Sequence, residues 1–104
     1  MRRGEIWWAI LAPPRGIRPV VLLTRDEALS FRTHVTVAPL TRSGRDIGSF
    51  VRVGPAEGVR EESAINADDI ETISISDLDR RITTLSPERM AEVDFAIKFA
   101  LALT

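Results

Sequence analysis

Apolar residues come in short runs along this chain, each closed by proline, glycine or charge, and the runs alternate between two periodicities. Glu5-Ile6-Trp7-Trp8-Ala9-Ile10-Leu11 is β-branched and aromatic, follows Gly4, and predicts a first strand. Two prolines and a glycine mark Ala12-Pro13-Pro14-Arg15-Gly16-Ile17 as a loop. Arg18-Pro19-Val20-Val21-Leu22-Leu23-Thr24 is apolar almost throughout, the pattern of a strand buried on both faces. Pro19 is tolerable at its start, where no ladder donor is required. Arg25 to Phe31 is polar and suits a turn of helix. Thr33-His34-Val35-Thr36-Val37-Ala38-Pro39-Leu40-Thr41 predicts a third strand that ends or reaches an edge at Pro39.

Beyond Thr41 the runs shorten. Arg42-Ser43-Gly44-Arg45-Asp46-Ile47-Gly48 is a basic loop, and Phe50-Val51-Arg52-Val53 is a short alternating strand stopped by Gly54-Pro55. A strand around Ser63-Ala64-Ile65-Asn66 is expected to continue through Ile70-Glu71-Thr72-Ile73. Ser76 to Asp79 suits a helical turn, and Arg81-Ile82-Thr83 a last short strand. Ser86-Pro87-Glu88 then supplies an N-cap, a proline at the first helical position and an acid in the first turn. Met90, Val93, Ile97 and Leu101 recur at helical spacing, with Ala91, Phe95 and Phe99 on an adjoining face. That helix is apolar over more than half its circumference. Its wide face is expected to cover the sheet, leaving any contact between copies mainly to strands and loops. Five to seven short strands and one C-terminal helix predict a mainly β fold, a small bent sheet or open barrel.

Composition narrows the choice. With 104 residues, a single domain spanning 1–104 is expected. The absence of cysteine excludes a disulfide framework and a thiolate metal site. No apolar run approaches the roughly 20 residues needed to span a bilayer, and no signal segment is evident, so a cytoplasmic protein is expected. His34 is the single histidine, so no mechanism within one chain can use two imidazoles.

The formal net charge of −1 conceals an asymmetry. Residues 1–60 carry ten arginines against five acids, and residues 61–104 carry four basic residues against ten acids. A local basic face is what phosphates respond to, so an acidic chain can still bind nucleic acid. Thirteen of the fourteen basic residues are arginine, whose planar fork suits phosphate.

Four segments in order, Arg3-Gly4-Glu5-Ile6-Trp7-Trp8, Arg18-Pro19-Val20-Val21, Pro39-Leu40-Thr41 and Leu85-Ser86-Pro87-Glu88-Arg89-Met90, resemble the MazF/PemK toxins of toxin–antitoxin modules. The resemblance runs from Arg3 to Leu103. It implies an SH3-like barrel of the PemK/CcdB type with a C-terminal helix. It also implies a homodimeric, metal-independent, sequence-specific endoribonuclease acting on single-stranded RNA. No cofactor follows from it, and the partner it implies is a cognate antitoxin with an acidic, flexible tail.

Arg18 and Thr41 carry the chemistry in this reading. Arg18 stands where a loop meets a strand, its backbone fixed by Pro19, and its fork can bind the scissile phosphate and the charge developing on it. Thr41 ends the third strand, and the family places a serine or threonine hydroxyl there. Guanidinium does not deprotonate at ordinary pH, so Arg18 stabilises charge, and the general base is a separate group. Asp68 is the candidate from the resemblance. His34 has a suitable intrinsic pKa, yet seven residues at ~3.3 Å put it roughly 23 Å from Thr41 along the strand, which points to a structural role.

RNA positioning falls to Arg15, Gly16 and Ile17 before Arg18, to Arg42, Ser43 and Arg45 after Thr41, and to Asn66. Trp7 and Trp8 could stack on bases, although at the start of a first strand they suit core or interface. Asp68 and Asp69, read as strand neighbours, would point to opposite faces and could not share one metal ion. Glu71 departs from the family pattern, in which many relatives carry a basic residue at this point. Two other classes share the architecture: a CcdB-like gyrase poison and a non-catalytic SH3-like binding module. Neither needs both Arg18-Pro19 and Leu40-Thr41.

Overall fold

In the computed structural model, which describes residues 1–103, every strand pairing is antiparallel and one strand organises the rest. The elements in chain order are β1 (Glu5–Ile10), β2 (Ile17–Leu22), a single helical turn α1 (Asp26–Leu29), β3 (His34–Thr41), β4 (Phe50–Val53), β5 (Ser63–Asn66), β6 (Glu71–Ser74), β7 (Leu78–Thr84) and α2 (Pro87–Ala100). The sheet order is β4-β5-β3-β2-β1-β7, with β6 also on β3.

β3 pairs with β2 on one edge through Val37, Ala38 and Pro39. On its other edge it changes partner. Residues His34 to Val37 pair with β6, and Leu40 and Thr41 pair with β5. Pro39 therefore does not end the strand, as its missing amide had suggested. It sits between the last β6 pair and the first β5 pair, where no ladder hydrogen bond is forfeited.

The second half of the sheet departs from expectation in the same place. The segment 63–73 is not one strand. A 3₁₀ turn at Ala67–Asp69 divides it, with Asn66 Oδ1 accepting from the Asp68 amide at 2.9 Å. That side-chain turn offers the backbone an alternative to the ladder, and β5 and β6 go to different stretches of β3.

The barrel is completed by the segment after β4. Thr83 of β7 donates its hydroxyl to the Glu57 carbonyl at 2.9 Å, tying the two ends of the strand order together. Gly58, at φ +92°, lies against the Thr83 side chain, where a β-carbon would come within 2.5 Å of the hydroxyl. The result is a small barrel with a C-terminal helix, as the patterning predicts, and of the SH3-like type that the resemblance implies.

Its core has two parts, one on each face of β2. Val21 faces a cluster with Ile6, Ala38, Leu40, Ile65, Met90 and Val93. Val20 and Leu22 face a second cluster with Ala9, Leu11, Val35, Val37 and Ile73. This explains why β2 reads as an unbroken apolar run: alternate residues point to opposite faces, and both faces are buried.

α2 covers the first cluster with Met90, Val93 and Ala96. Its N-cap forms as the sequence indicates, Ser86 Oγ accepting from the Arg89 amide at 3.2 Å. The wider apolar face is covered only in part, since Phe95, Phe99 and Leu101 are exposed. Arg3 fastens the start of the chain to this helix, donating to the Leu23 carbonyl and to Asp94, each at 2.7 Å. No helix among the described residues is long and apolar enough to cross a membrane.

Ile65 is fully buried and pairs with both Leu40 and Val51, so it joins β3 to β4. Ile65→Ala is expected to destabilise the fold by about 2–5 kcal/mol, and Ser86→Ala by about 1 kcal/mol. Urea denaturation of both variants beside the unmodified chain measures the difference.

Candidate active site

The β2–β3 register decides which side chains meet. Leu22↔Val37, Val21↔Ala38 and Val20↔Pro39 are paired, and beyond this last pair the two strands lead on to Arg18 and Thr41, which line the same two grooves. Residues two apart on a strand share a face, so Arg18 stands on the face of Val20 and Thr41 on the face of Pro39. The two side chains emerge on the same side, where the buried stretch of the strands ends.

Two open grooves meet there, and Arg15, Arg18, Leu40, Thr41 and Ser43 line both. The larger, of about 1060 Å³, runs over Trp8, Ile17, Pro19 and Ile82 and carries Arg42, Arg60 and Arg80. The smaller, of about 700 Å³, is formed with Arg45, Phe50, Asn66, Asp68, Asp69 and Glu71. All the site residues expected from the sequence except Gly16 therefore line one groove or the other. Gly16 has a different role. Its φ of +67° permits the β1–β2 turn, closed by the Leu11 amide donating to the Gly16 carbonyl at 3.0 Å.

Arg18 is exposed and makes no ion pair among the described residues. Its Nε donates to the Arg15 carbonyl at 3.2 Å, and its terminal nitrogens have no hydrogen-bond partner among the described residues. Thr41 Oγ1 accepts from the Ser43 amide at 3.2 Å and lies 3.1 Å from Ser43 Oγ. The turn bond that a strand-ending threonine favours is thus present, and it fixes the hydroxyl oxygen in place.

Asp68 and Asp69 lie on the 3₁₀ turn, so the alternation expected for a strand does not govern them. Asp68 Oδ2 accepts from Ser49 Oγ at 2.6 Å, and Asp69 Oδ2 accepts from Asn66 Nδ2 at 3.0 Å. Ser49 is almost wholly buried, and its carbonyl also accepts from the Ala67 amide at 2.9 Å. It thus anchors the turn that carries Asp68, a role with no local signal in the sequence. Among the described residues no three histidine, cysteine or acidic side chains gather as a metal-ligand cluster.

His34 is exposed at the start of β3, its Nδ1 3.0 Å from Thr33 Oγ1. Trp7 packs against the second core cluster and donates its indole N–H to the buried Glu5 carboxylate at 2.9 Å. Trp8, half-buried, lines the larger groove.

Two of the loop arginines face acids from the second half of the chain. Arg42 lies 2.9 Å from Glu61, with both side chains largely in solvent. Arg15 holds Glu71 through both terminal nitrogens, Nη1 to Oε1 at 2.7 Å and Nη2 to Oε2. This bidentate contact lowers the Glu71 carboxyl below its ordinary pKa, with partial burial opposing and the Arg15 charge adding to the shift. Arg15 is raised in turn by the same hydrogen bonds.

A depressed carboxyl pKa contributes stability above its unfolded value and loses it as pH falls through the folded one. The Glu71 contribution is small because the pair is partly in solvent. It is expected to be complete above the ordinary glutamate value of about 4.3. Glu71→Gln should lower the urea midpoint slightly at pH 7, and the difference should shrink and disappear as pH falls below the ordinary glutamate range. A difference that persists unchanged in acid would show that the ion pair is not its source.

The chain is similar to known proteins over most of its length. The family model described as PemK-like, MazF-like toxin of type II toxin–antitoxin system matches residues 2–101. Probable endoribonuclease MazF2 of Mycobacterium tuberculosis is 42% identical over 93 residues, covering 88% of this chain and 89% of that protein. Probable endoribonuclease MazF5 of the same organism is 36% identical, covering 95% and 91%. The Mycobacterium tuberculosis toxin MazF-mt6 superposes with a TM-score of 0.88 at 33% identity, over 96% of this chain and 98% of that one. A mycobacterial endoribonuclease solved with its cognate antitoxin has a TM-score of 0.89 at 24% identity, covering 100% and 97%, a likeness of fold. From the matched span and from relatives of this identity and coverage, the chain belongs to the PemK/MazF family of type II toxin–antitoxin systems, the MazF endoribonuclease toxins.

Proposed function

We propose that this chain cuts single-stranded RNA internally and without a metal ion, leaving a 2′,3′-cyclic phosphate and a 5′-hydroxyl. The observation that carries the reading is that Arg18 and Thr41, just past the last β2–β3 pair, both line the two grooves where these meet. In this reaction the 2′-oxygen attacks the adjacent phosphorus and the bond to the 5′-oxygen breaks. A proton leaves the 2′-hydroxyl and another reaches the departing 5′-oxygen, so no water enters.

Arg18 meets the charge that develops on the non-bridging oxygens, its terminal nitrogens serving as preorganised donors. Thr41 Oγ1 accepts from the Ser43 amide, and with Ser43 Oγ donating across their 3.1 Å contact the Thr41 hydroxyl proton is available to a phosphate oxygen. Asp68 lines the smaller groove with Oδ2 held by Ser49, and Oδ1 is the acceptor for the 2′-hydroxyl proton. Arg42 and Arg45 follow the backbone on either side, and Trp8 offers a face for an unstacked base. Acids such as Asp69 and Glu71 in the smaller groove repel phosphate, so that stretch takes base edges.

The same grooves suit the acidic, flexible tail of a cognate antitoxin, which would cover Arg18 and block RNA. The exposed Phe95, Phe99 and Leu101 favour assembly as a homodimer that includes the helix face, where strands and loops alone were expected to make most of the contact.

Purified protein is expected to cut a mixed single-stranded RNA in the presence of chelator, with cyclic phosphate and 5′-hydroxyl ends in end-group analysis. Arg18→Ala should lower the rate by about 10²–10³, and Thr41→Ala should lower it in the same direction. No cutting in chelator, or cutting undiminished by Arg18→Ala, would remove this assignment.

A further inference from the structure

A continuous chain of contacts runs from the sheet to Arg18. Glu71 opens β6 and pairs with Val37, so its backbone is held by the ladder on the face that carries Pro39 and Thr41. Its carboxylate grips the Arg15 guanidinium through both oxygens. The Arg15 carbonyl in turn accepts from Arg18 Nε at 3.2 Å. Arg15 itself sits at an exposed hairpin tip, where even a β-carbon on neighbouring Gly16 would meet nothing within 4 Å. Apart from the turn bond between the Arg15 amide and the Ala12 carbonyl at 3.1 Å, little else holds that residue.

We infer that Glu71 is a positioning residue that acts through Arg15 to aim the Arg18 guanidinium at the scissile phosphate. The inference rests on the reading of Arg18 as the group that stabilises the transition state. A partly solvated ion pair adds little to stability, so its consequence is geometric. Two parallel N–H···O bonds fix the plane of the Arg15 fork as well as its distance. Tethering the fork to β6 restricts the hairpin tip to which it belongs, and with it the Arg15 carbonyl that accepts from Arg18 Nε. Misplacement of a reacting group by about 1 Å is enough to cost ~10²-fold in rate.

The opposing possibility is that Glu71 masks Arg15 and keeps it from RNA. The two differ in sign, because releasing Arg15 would then tighten RNA binding and speed cutting.

The test compares Glu71→Gln, Arg15→Lys and Arg18→Ala on one single-stranded RNA under single-turnover conditions, with thermal melts to verify folding. Glu71→Gln and Arg15→Lys are each expected to lower the cleavage rate at saturating RNA by about tenfold, with the half-saturating concentration changed by less than about twofold. In the Arg18→Ala background, Glu71→Gln should add less than about twofold, because the brace then has nothing to aim. Independently of activity, the Arg18 Nε–H proton should exchange faster with solvent in Glu71→Gln than in the unmodified chain. A faster rate in Glu71→Gln, an effect confined to half-saturation, or full additivity with Arg18→Ala would each overturn the inference. Failure of Arg18→Ala to slow cutting would instead overturn the underlying assignment of Arg18.

Discussion

The antiparallel register of β2 on β3 is the constraint on which both the fold and the site depend. A slip of one residue would move every side chain of β2 to the opposite face. For most strands in a half-buried sheet that error exposes one apolar set. Here both sets are buried, Val21 with α2 and β5, Val20 and Leu22 with the second cluster, each among different neighbours. The register is thus specified from two sides. Arg18 and Thr41 inherit that specification without contributing to it, since they lie just past the last buried pair.

β3 extends this logic to the rest of the barrel. Eight residues serve three partners, with Pro39 at the exchange from β6 to β5. The residues that end and follow β5 and those that open β6 are brought beside the end of β3, which is how Asn66, Asp68 and Glu71 come to line one groove with Thr41. Ser49 and Asn66 then fix the turn between the two strands, one through Asp68 and the Ala67 amide, the other through the Asp68 amide and Asp69.

Electrostatics at the site follow from the same arrangement. The first sixty residues are basic and the remainder acidic, yet the two halves are not separate surfaces. The barrel interleaves them, so Arg15 meets Glu71 and Arg42 meets Glu61. Arg18 and Arg45 have no such carboxylate among the described residues. Net charge therefore says little about this site. What counts is which arginines retain an uncompensated field next to a fixed hydroxyl.

Local chemistry made much of the architecture legible. The aromatic run of β1, the doubly buried run of β2, the alternation in β4 and the Ser86-Pro87 start of α2 each depend on residues within a few positions of one another. So does the basic character of the loops around Arg18 and Thr41, while the roles given to those two residues came from resemblance. Other features depend on partners far away in the chain and could not be read locally. The passage of β3 through Pro39 required knowing that its partners change there, and the break at Asn66 required knowing that β5 and β6 pair with different parts of β3. Glu71 read as a departure from the family pattern, and only folding supplied Arg15, fifty-six residues earlier, as its partner. The sequence alone determined the elements and the residue types at the site, because propensity, capping and hydrophobic period act over short separations. Which residues face one another was decided by tertiary structure, because register and strand order are set by packing between segments remote in sequence.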